Sequence, residues 1–360
     1  MIRILHAADL HLDSPFAAMP PQKAAARRAD QRELLLRLTA ACNERNCDLL
    51  LLAGDLFDSD QVYRETAELL VKALGACRAK VFIAPGNHDF FSPSSIYASL
   101  RWPENVHIFR SETVEAVRLE SPAVTVYGAA FTAPHAGALL HGFRAEADGT
   151  PAVMVVHGEL TERQSPYNPI SSQDAAGSGL DYLALGHIHE DNLQKLGATT
   201  VGNPGCAMGR GFDETGEKGA FYAELDHESC RVEAVGLGAK QYQIRKVPVG
   251  ENPLADLEAV LPKTQKDWIL RLILTGTCAA PDTDALHRAL AERFDTLENV
   301  DRTQPPKALW DDAGEDSLKG LYLERLRRIY EEADEADRQT IADAARIGRA
   351  LMEGREVTEP

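Results

Sequence analysis

The chain has 360 residues, 44% hydrophobic and 26% charged, with a formal net charge of −17. That is ordinary globular composition, with enough chain for a full core and more than one domain. It contains no run of about 20 apolar residues able to span a bilayer, and Met1 leads into a strand-like run without a basic or apolar leader, so the expected location is cytoplasmic, off the membrane.

Apolar runs of four to six residues closed by Gly or polar residues predict buried strands. In chain order the strand-like runs are Ile2–Ala7, Leu49–Ala53, Val81–Ala84, Val106–Phe109, Val114–Leu119, Val124–Ala129, Val153–Val156, Tyr182–Leu185, Val201–Gly202, Phe221–Leu225 and Val232–Gly236. Helical stretches at Pro21–Arg45 and Tyr63–Arg78 separate the early strands. Helices between strands early and mostly strands later suggest two stacked sheets with helices outside.

After Gly238 the rhythm changes. A strand at Gln243–Val247, a helix at Leu254–Leu261, a strand at Trp268–Thr275, a helix at Thr283–Phe294 and a strand at Leu297–Arg302 make a small α+β unit. The pair Pro305-Pro306 follows, then a helical stretch over Asp316–Gly354. The expected organisation is therefore residues 1–238, 239–304 and 305–360. In the last part Leu318, Leu321, Tyr322, Leu326, Ile329 and Tyr330 recur at three and four, an amphipathic stripe behind Asp316 or Ser317 as N-cap. A weaker stripe follows at Ile341, Ala345, Ile347 and Leu351.

The charge is uneven. Residues 1–110 balance thirteen basic against thirteen acidic side chains, residues 111–240 carry eight against eighteen, and residues 241–360 seventeen against twenty-four. Acidity weighs against DNA, whose phosphates need basic patches, unless a partner chain helps hold it. The cysteines, Cys42, Cys47, Cys77, Cys206, Cys230 and Cys278, form no CxxC pair and read as reduced thiols.

Five of the strands run into residues that bind metals. Asp9 and His11 follow the first, Asp55 the second, and Asn87-His88-Asp89 the third; His157 follows Val153–Val156, and His187 and His189 follow Tyr182–Leu185. Groups at the ends of several buried strands converge whatever their separation in sequence. In Asp9-x-His11 and His187-x-His189 the spacing of two puts both side chains on one face of extended backbone. Gly54 and Gly86 allow a sharp turn and close approach beside Asp55 and Asn87. Each block alone is weak, since Gly and Asn favour ordinary turns. Together Asp9, His11, Asp55, Asn87, His157, His187 and His189 suffice for two ions sharing one carboxylate. Oxygen and imidazole donors without thiolate suit Mn, Fe or Zn.

With these blocks in order, the sequence resembles the calcineurin-like metallophosphoesterases, whose pattern is D-x-H, GD, GNH[DE], H and GH-x-H. The matching residues are Asp9-Leu10-His11, Gly54-Asp55, Gly86-Asn87-His88-Asp89, His157-Gly158 and Gly186-His187-Ile188-His189. The resemblance implies a four-layer α-β-β-α sandwich of two mixed sheets, with a small α+β capping domain and C-terminal helices. It implies two divalent ions, manganese first and iron or zinc as alternatives. Asp9, His11, Asp55 and His189 would hold one ion, and Asp55, Asn87, His157 and His187 the other, with Asp55 bridging. His88 would be the general acid at the leaving group. Asp89 and Asp13 are read as groups orienting ligand histidines, Asp13 equally as a helix N-cap.

The stretches Ile4–Leu12 and Gly54–Asp58 are similar to the SbcD-type DNA-repair nucleases, and Gly202–Gly205 with Arg210–Gly219 to the shorter YhaO-like branch. The Arg that Ser/Thr protein phosphatases carry after the second block is absent: Asp58 is followed by Ser59 and Asp60. Eukaryotic relatives often place a His where Asp58 stands. This implies a DNA exonuclease or endonuclease in repair, working with an SMC-like (SbcC/YhaN-like) ATPase, and is compatible with a homodimer. The alternative is a small-molecule phosphodiesterase or phosphatase, for which an acidic chain is natural. Lys23, Arg27, Arg28 and Arg32 fall in one helical stripe and, with Arg210, are candidate contacts to a DNA backbone; a solvated face is the plainer explanation.

Overall fold

The computed structural model describes residues 1–226, 229–278, 281–304 and 308–354. The Pro305-Pro306 pair lies outside them. The elements run β1 (Ile2–Ala7), α1 (Pro21–Glu44), β2 (Leu49–Leu52), α2 (Arg64–Gly75), β3 (Lys80–Ile83), α3 (Ile96–Ser99), β4 (Val106–Ile108), β5 (Glu115–Glu120), β6 (Ala123–Gly128) and β7 (Ala152–His157). They continue through β8 (Glu159–Leu160), β9 (Pro169–Ile170), α4 (Ser172–Gly177), β10 (Tyr182–Gly186), β11 (Asn192–Leu196), β12 (Thr199–Asn203), β13 (Gly219–Leu225), β14 (Cys230–Gly236) and β15 (Gln241–Pro248). The remainder is α5 (Pro253–Val260), β16 (Gln265–Thr275), α6 (Thr283–Leu290), β17 (Phe294–Asp301), α7 (Leu318–Glu332) and α8 (Glu335–Met352).

Two six-stranded mixed sheets dominate, ordered β14-β13-β1-β2-β3-β4 and β11-β12-β10-β7-β6-β5. In the first, β1, β2, β3 and β4 are parallel, and in the second β6, β7, β10 and β12. Period-two alternation sorts their side chains into layers. Ile4, Leu49, Leu51, Val153 and Val155 share a core between the sheets. Leu5, Leu50 and Leu52 turn the other way, to pack with Leu34, Leu35 and Leu38 of α1 and Leu70 and Leu74 of α2. Met154 and Val156 face a third cluster with Ile170, Ala175 of α4 and Leu180. The result is the expected α/β sandwich of two mixed sheets. One buried polar side chain ties the sheets together: His6 of β1 is bonded to the Tyr182 hydroxyl at 2.9 Å and the Leu185 carbonyl at 3.0 Å. Burial pushes its imidazole down to about 3, so it stays neutral.

The chain forms two compact units: Met1–Arg245 with Thr264–Arg271 and Leu290–Glu298, and Lys246–Lys263 with Leu272–Ala289 and Asn299–Pro360. β15, β16 and β17 form a three-stranded sheet in that order. The helix expected to reach Phe294 stops at Leu290, because Phe294 opens β17 and buries its ring there. In the second unit Ser317 caps α7 through the Gly320 amide and Asp334 caps α8 through the Asp337 amide. The two helices meet through buried Leu323 and Ala345 and the Tyr322 hydroxyl, which donates to the Ala344 carbonyl at 2.9 Å. Polar β11 and the short elements β8, β9 and α4 carry no periodic signal and were not expected. Among the described residues no helix is long and apolar enough to cross a membrane.

Candidate metal centre

The candidate ligands stand just past, or at, the C-terminal ends of five parallel strands. Asp9 and His11 follow β1, Asp55 follows β2, Asn87 and His88 follow β3, His157 closes β7, and His187 and His189 follow β10. Three strands come from one sheet and two from the other, so the centre sits at one end of the sandwich.

The backbone that presents them is not extended. Asp9, His11, Asp55 and His187 have φ of 51°, 44°, 50° and 92°. The same-face argument for the two spacing-two pairs therefore does not describe them: both strands end first, and left-handed residues turn the side chains inward. Such conformations cost of order 1–3 kcal/mol each and persist only where surroundings enforce them. Here Gln31 of α1 donates to the His11 carbonyl at 2.7 Å, and the Ser14 hydroxyl does the same at 2.7 Å. Gly86 is required by contact, since a Cβ there would lie 2.2 Å from Asp55 Oδ1.

Two clusters of donor atoms result. In one, His11 Nε2 and His189 Nε2 are 3.2 Å apart, with Asp9 Oδ1 at 3.9 and 3.7 Å from them. In the other, Asn87 Oδ1 is 3.0 Å from His157 Nε2 and 3.1 Å from His187 Nδ1. Asp55 Oδ2 lies between, 3.9 Å from His11 Nε2 and 3.4 Å from His157 Nε2, while Asp55 Oδ1 accepts the His88 amide at 2.9 Å.

The outer nitrogens decide what these atoms can hold. His11 Nδ1 lies 3.2 Å from Asp58 Oδ1, His189 Nδ1 is 2.6 Å from Glu214 Oε1, and His157 Nδ1 is 2.8 Å from the Ala53 carbonyl. A proton on each Nδ1 leaves the lone pair on Nε2. Two imidazole lone pairs 3.2 Å apart, beside a carboxylate, repel unless a cation or a proton stands between them. The donor set thus fits divalent ions and the histidine–carboxylate support typical of metal ligands.

Charges in the cluster follow the same logic. Burial raises Asp9 to about 7. Burial opposes protonation of His157, yet Asp55 and Asp9 carry it up to about 9. Burial lowers His187 to about 4. Asp55 resists its burial and is held well below the usual carboxylate range by His157.

The groups that orient histidines differ from those expected. Asp89 accepts the Leu56, Phe57 and Gly86 amides and, at 2.5 Å, the Tyr97 hydroxyl, bracing the turns beneath Asp55 and Asn87 rather than a histidine. Asp13 accepts the Tyr63 amide and the Thr66 hydroxyl, tying the His11 loop to the start of α2. Glu214 takes the orienting role at His189 through a hydrogen bond, while Asp58 stands at ion-pair distance from His11. Arg210 joins them, donating to Asp58 Oδ1 at 2.9 Å and Glu214 Oε1 at 3.1 Å. It is therefore engaged in the centre rather than free for DNA phosphate. Neither acid follows a strand in the pattern, and only the Arg210–Gly219 stretch signalled Glu214.

The expected basic stripe also divides. Arg27 is buried and paired with Asp30 and Asp295, and Arg32 faces Asp13 and Glu65. Lys23 is exposed, and the Arg28 guanidinium lies 5.6 Å from the centre of the exposed Tyr63 ring. Tyr63, Asp13, Asp58 and Gln61 border an open recess of about 530 Å³. His88 is exposed, its Nδ1 2.9 Å from the Asp58 carbonyl and its ring 4.9 Å from that of His11. The carbonyl keeps a proton on Nδ1, leaving Nε2 for proton exchange.

Residues 2–191 match the family model described as calcineurin-like phosphoesterase. The chain belongs to that family. It is 28% identical to the uncharacterized metallophosphoesterase YhaO of Bacillus subtilis (strain 168), over 93% of this chain and 88% of that protein. It is 23% identical to a subunit of the nuclease SbcCD of the same organism, over 60% of this chain and 64% of that protein. It is 24% identical to the DNA double-strand break repair protein Mre11 of Methanopyrus kandleri, over 91% and 77%. As a member of this family the chain is a phosphoester hydrolase with a dinuclear divalent metal site, for which the clustered residues are the candidates.

Proposed function

We propose that this chain is a nuclease that hydrolyses DNA phosphodiesters in repair, using two manganese ions and an SMC-like ATPase partner. The observation that carries the chemistry is Asp55 Oδ2 standing between two donor clusters, with His88 exposed beside them. When bound, the ions neutralise phosphate charge and lower the pKa of water. Asp9, His11 and His189 would hold one ion, Asn87, His157 and His187 the other, and Asp55 both. Glu214 would fix the tautomer of His189, and Asp58, 3.2 Å from His11 Nδ1, would favour a proton there. His88, held at Nδ1, would give a proton from Nε2 to the departing oxygen; such help is worth about 10²–10⁴-fold.

DNA as the substrate is favoured by the kinship to a nuclease subunit and to a DNA double-strand break repair protein, and by the open recess, where exposed Tyr63, with Arg28 against its ring, offers a stacking face and a cation to a single strand. A partner is favoured by the C-terminal hairpin. Leu318 and Leu351 are 77% and 63% exposed, and Leu321, Ile329, Ile347 and Met352 are exposed with them. So much exposed apolar surface on one helix pair supports a partner that covers it.

The test is purified protein with Mn²⁺ on labelled single- and double-stranded DNA, beside bis-p-nitrophenyl phosphate, with and without the partner ATPase. Cleavage of DNA is expected. Turnover of the small ester with no DNA cleavage in either condition would leave the small-molecule phosphodiesterase as the reading. Truncation before Asp311 is expected to spare hydrolysis of the small ester and abolish association with the ATPase.

A further inference from the structure

Three cysteines meet where the C-terminal ends of α1 and α2 come together. Cys42, in the last turn of α1, has its Sγ 3.5 Å from that of Cys77, two residues beyond α2. Cys47 folds back onto the same place, its amide donating to the Cys42 carbonyl at 3.0 Å. Their exposures are 0%, 5% and 8% for Cys42, Cys77 and Cys47, and all are free thiols.

The backbone around Cys42 and Cys77 is locked. Asn43 donates through Nδ2 to the Ala76 carbonyl at 3.1 Å and accepts the Arg78 amide on Oδ1 at 2.8 Å. The residues flanking Cys42 and Cys77 are thus cross-linked by two hydrogen bonds. An S–S bond is about 2.05 Å long, so the sulfurs need close by only about 1.5 Å.

We infer that Cys42 and Cys77 are an oxidisable dithiol, a modification site for hydroperoxides in which Cys77 reacts first and Cys42 resolves it. The Cys77 thiolate attacks the O–O bond; sulfur gains a hydroxyl as sulfenic acid and the peroxide leaves as alkoxide or hydroxide. Cys42 then attacks that sulfur. The S–S bond forms, the sulfenic oxygen leaves as water, and the Cys42 proton goes with it. Two thiols and one hydroperoxide become one disulfide, one alcohol or water, and one water.

The order of attack has a physical basis. Contact with Cys42, whose Sγ lies 3.5 Å away, helped by the Ala79 amide and the Arg78 charge, brings the Cys77 thiol down to about 7 despite burial. Cys42 is pushed up by its contacts with Cys47 and Cys77 and keeps its proton. By contrast, burial lifts Cys206 to about 12 and Cys230 to about 11, which leaves them unreactive. The bond would staple α1 to α2, the two helices that grip the His11 loop through Gln31 and Thr66.

Full-length reduced protein is treated with a small excess of hydrogen peroxide, blocked with a thiol alkylator and mapped by non-reducing mass spectrometry. The free-thiol count is expected to fall by two from six, with the Cys42 and Cys77 peptides linked. Cys42→Ser is expected to leave Cys77 as a sulfenic acid that a dimedone-type probe labels, and Cys77→Ser to lose no thiols on the same timescale. Oxidation is expected to raise the melting temperature of the wild type and of neither variant. Should Cys77→Ser fail to fold, Cys77→Ala gives the same comparison, and the linked Cys42 and Cys77 peptides in the wild type decide the pairing without a variant. Six persisting thiols, a linked pair without Cys77, or equally fast oxidation of the Cys77 variant would overturn the inference. These readouts are covalent and hold whether or not the protein cleaves DNA.

Discussion

Glu214→Gln is the most informative single change, because it removes one charge and almost no volume. The native carboxylate takes the His189 Nδ1 proton at 2.6 Å on Oε1, and the Arg210 amide at 2.7 Å on Oε2. An amide cannot accept at both atoms. With its oxygen toward His189, its NH₂ opposes the Arg210 N–H; turned round, it donates to His189 Nδ1 and drives the proton onto Nε2, where the ligand lone pair belongs. Either way a charge-assisted bond worth about 1.5–3 kcal/mol is lost. That corresponds to about 10–100-fold in affinity, the usual cost of changing a residue that orients a metal ligand. Competitive Mn²⁺ titration should show this loss at the ion held by Asp9, His11 and His189, with the other ion bound nearly as before. Wild-type affinity at both sites would mean that Glu214 does not set the His189 tautomer, and the support argument would fail.

Other substitutions test other parts of the account. His88→Gln is expected to keep both ions and lose about 10²–10⁴-fold in turnover, read by metal analysis and rate on one sample; metal loss in proportion to activity would make His88 structural. Asp55→Asn is expected to lower metal content more than any other single ligand change, since Asp55 Oδ2 faces both clusters; equal loss in His11→Ala would remove the case for a shared carboxylate. Metal binding should also release a proton. In the metal-free fold His157 is raised to about 9 from 6.5. The stability it gives is complete below 6.5 and lost as pH rises through 9, and a metal must displace that proton over the same window. Calorimetry at a pH of about 7.5, between those two values, in buffers of different ionisation enthalpy should therefore show proton uptake by buffer, and affinity should climb as the pH rises further. Buffer-independent heats would show His157 already neutral.

The convergence of Asp9, His11, Asp55, Asn87, His157, His187 and His189 was legible because each block follows a short, mostly apolar run. Such runs are buried strands, and parallel buried strands bring their C-terminal ends together. The backbone at those ends was not legible. A spacing of two suggests extended chain, but Asp9, His11 and His187 are left-handed, held by contacts from α1 and the surrounding loops that no local pattern encodes. The contacts of Asp58 and Glu214 with histidines were not legible for the same reason: both reach the site from loops, and a loop acid has no period. Asp89, next to the general-acid candidate, looked like an orienter but collects backbone amides and Tyr97 instead. Arg27 shows the limit of a helical stripe, since spacing groups charges on one side without saying which of them packs inward against Asp30 and Asp295.

The central claim is that one carboxylate joins two ions. It is tested most directly by electron paramagnetic resonance of the protein loaded with two equivalents of Mn²⁺. Ions about 3.5–4 Å apart and sharing Asp55 should give the signature of an exchange-coupled pair, collapsing to isolated-ion signals in Asp55→Asn. Isolated-ion signals in the wild type, with binding saturating at one ion per chain, would contradict it.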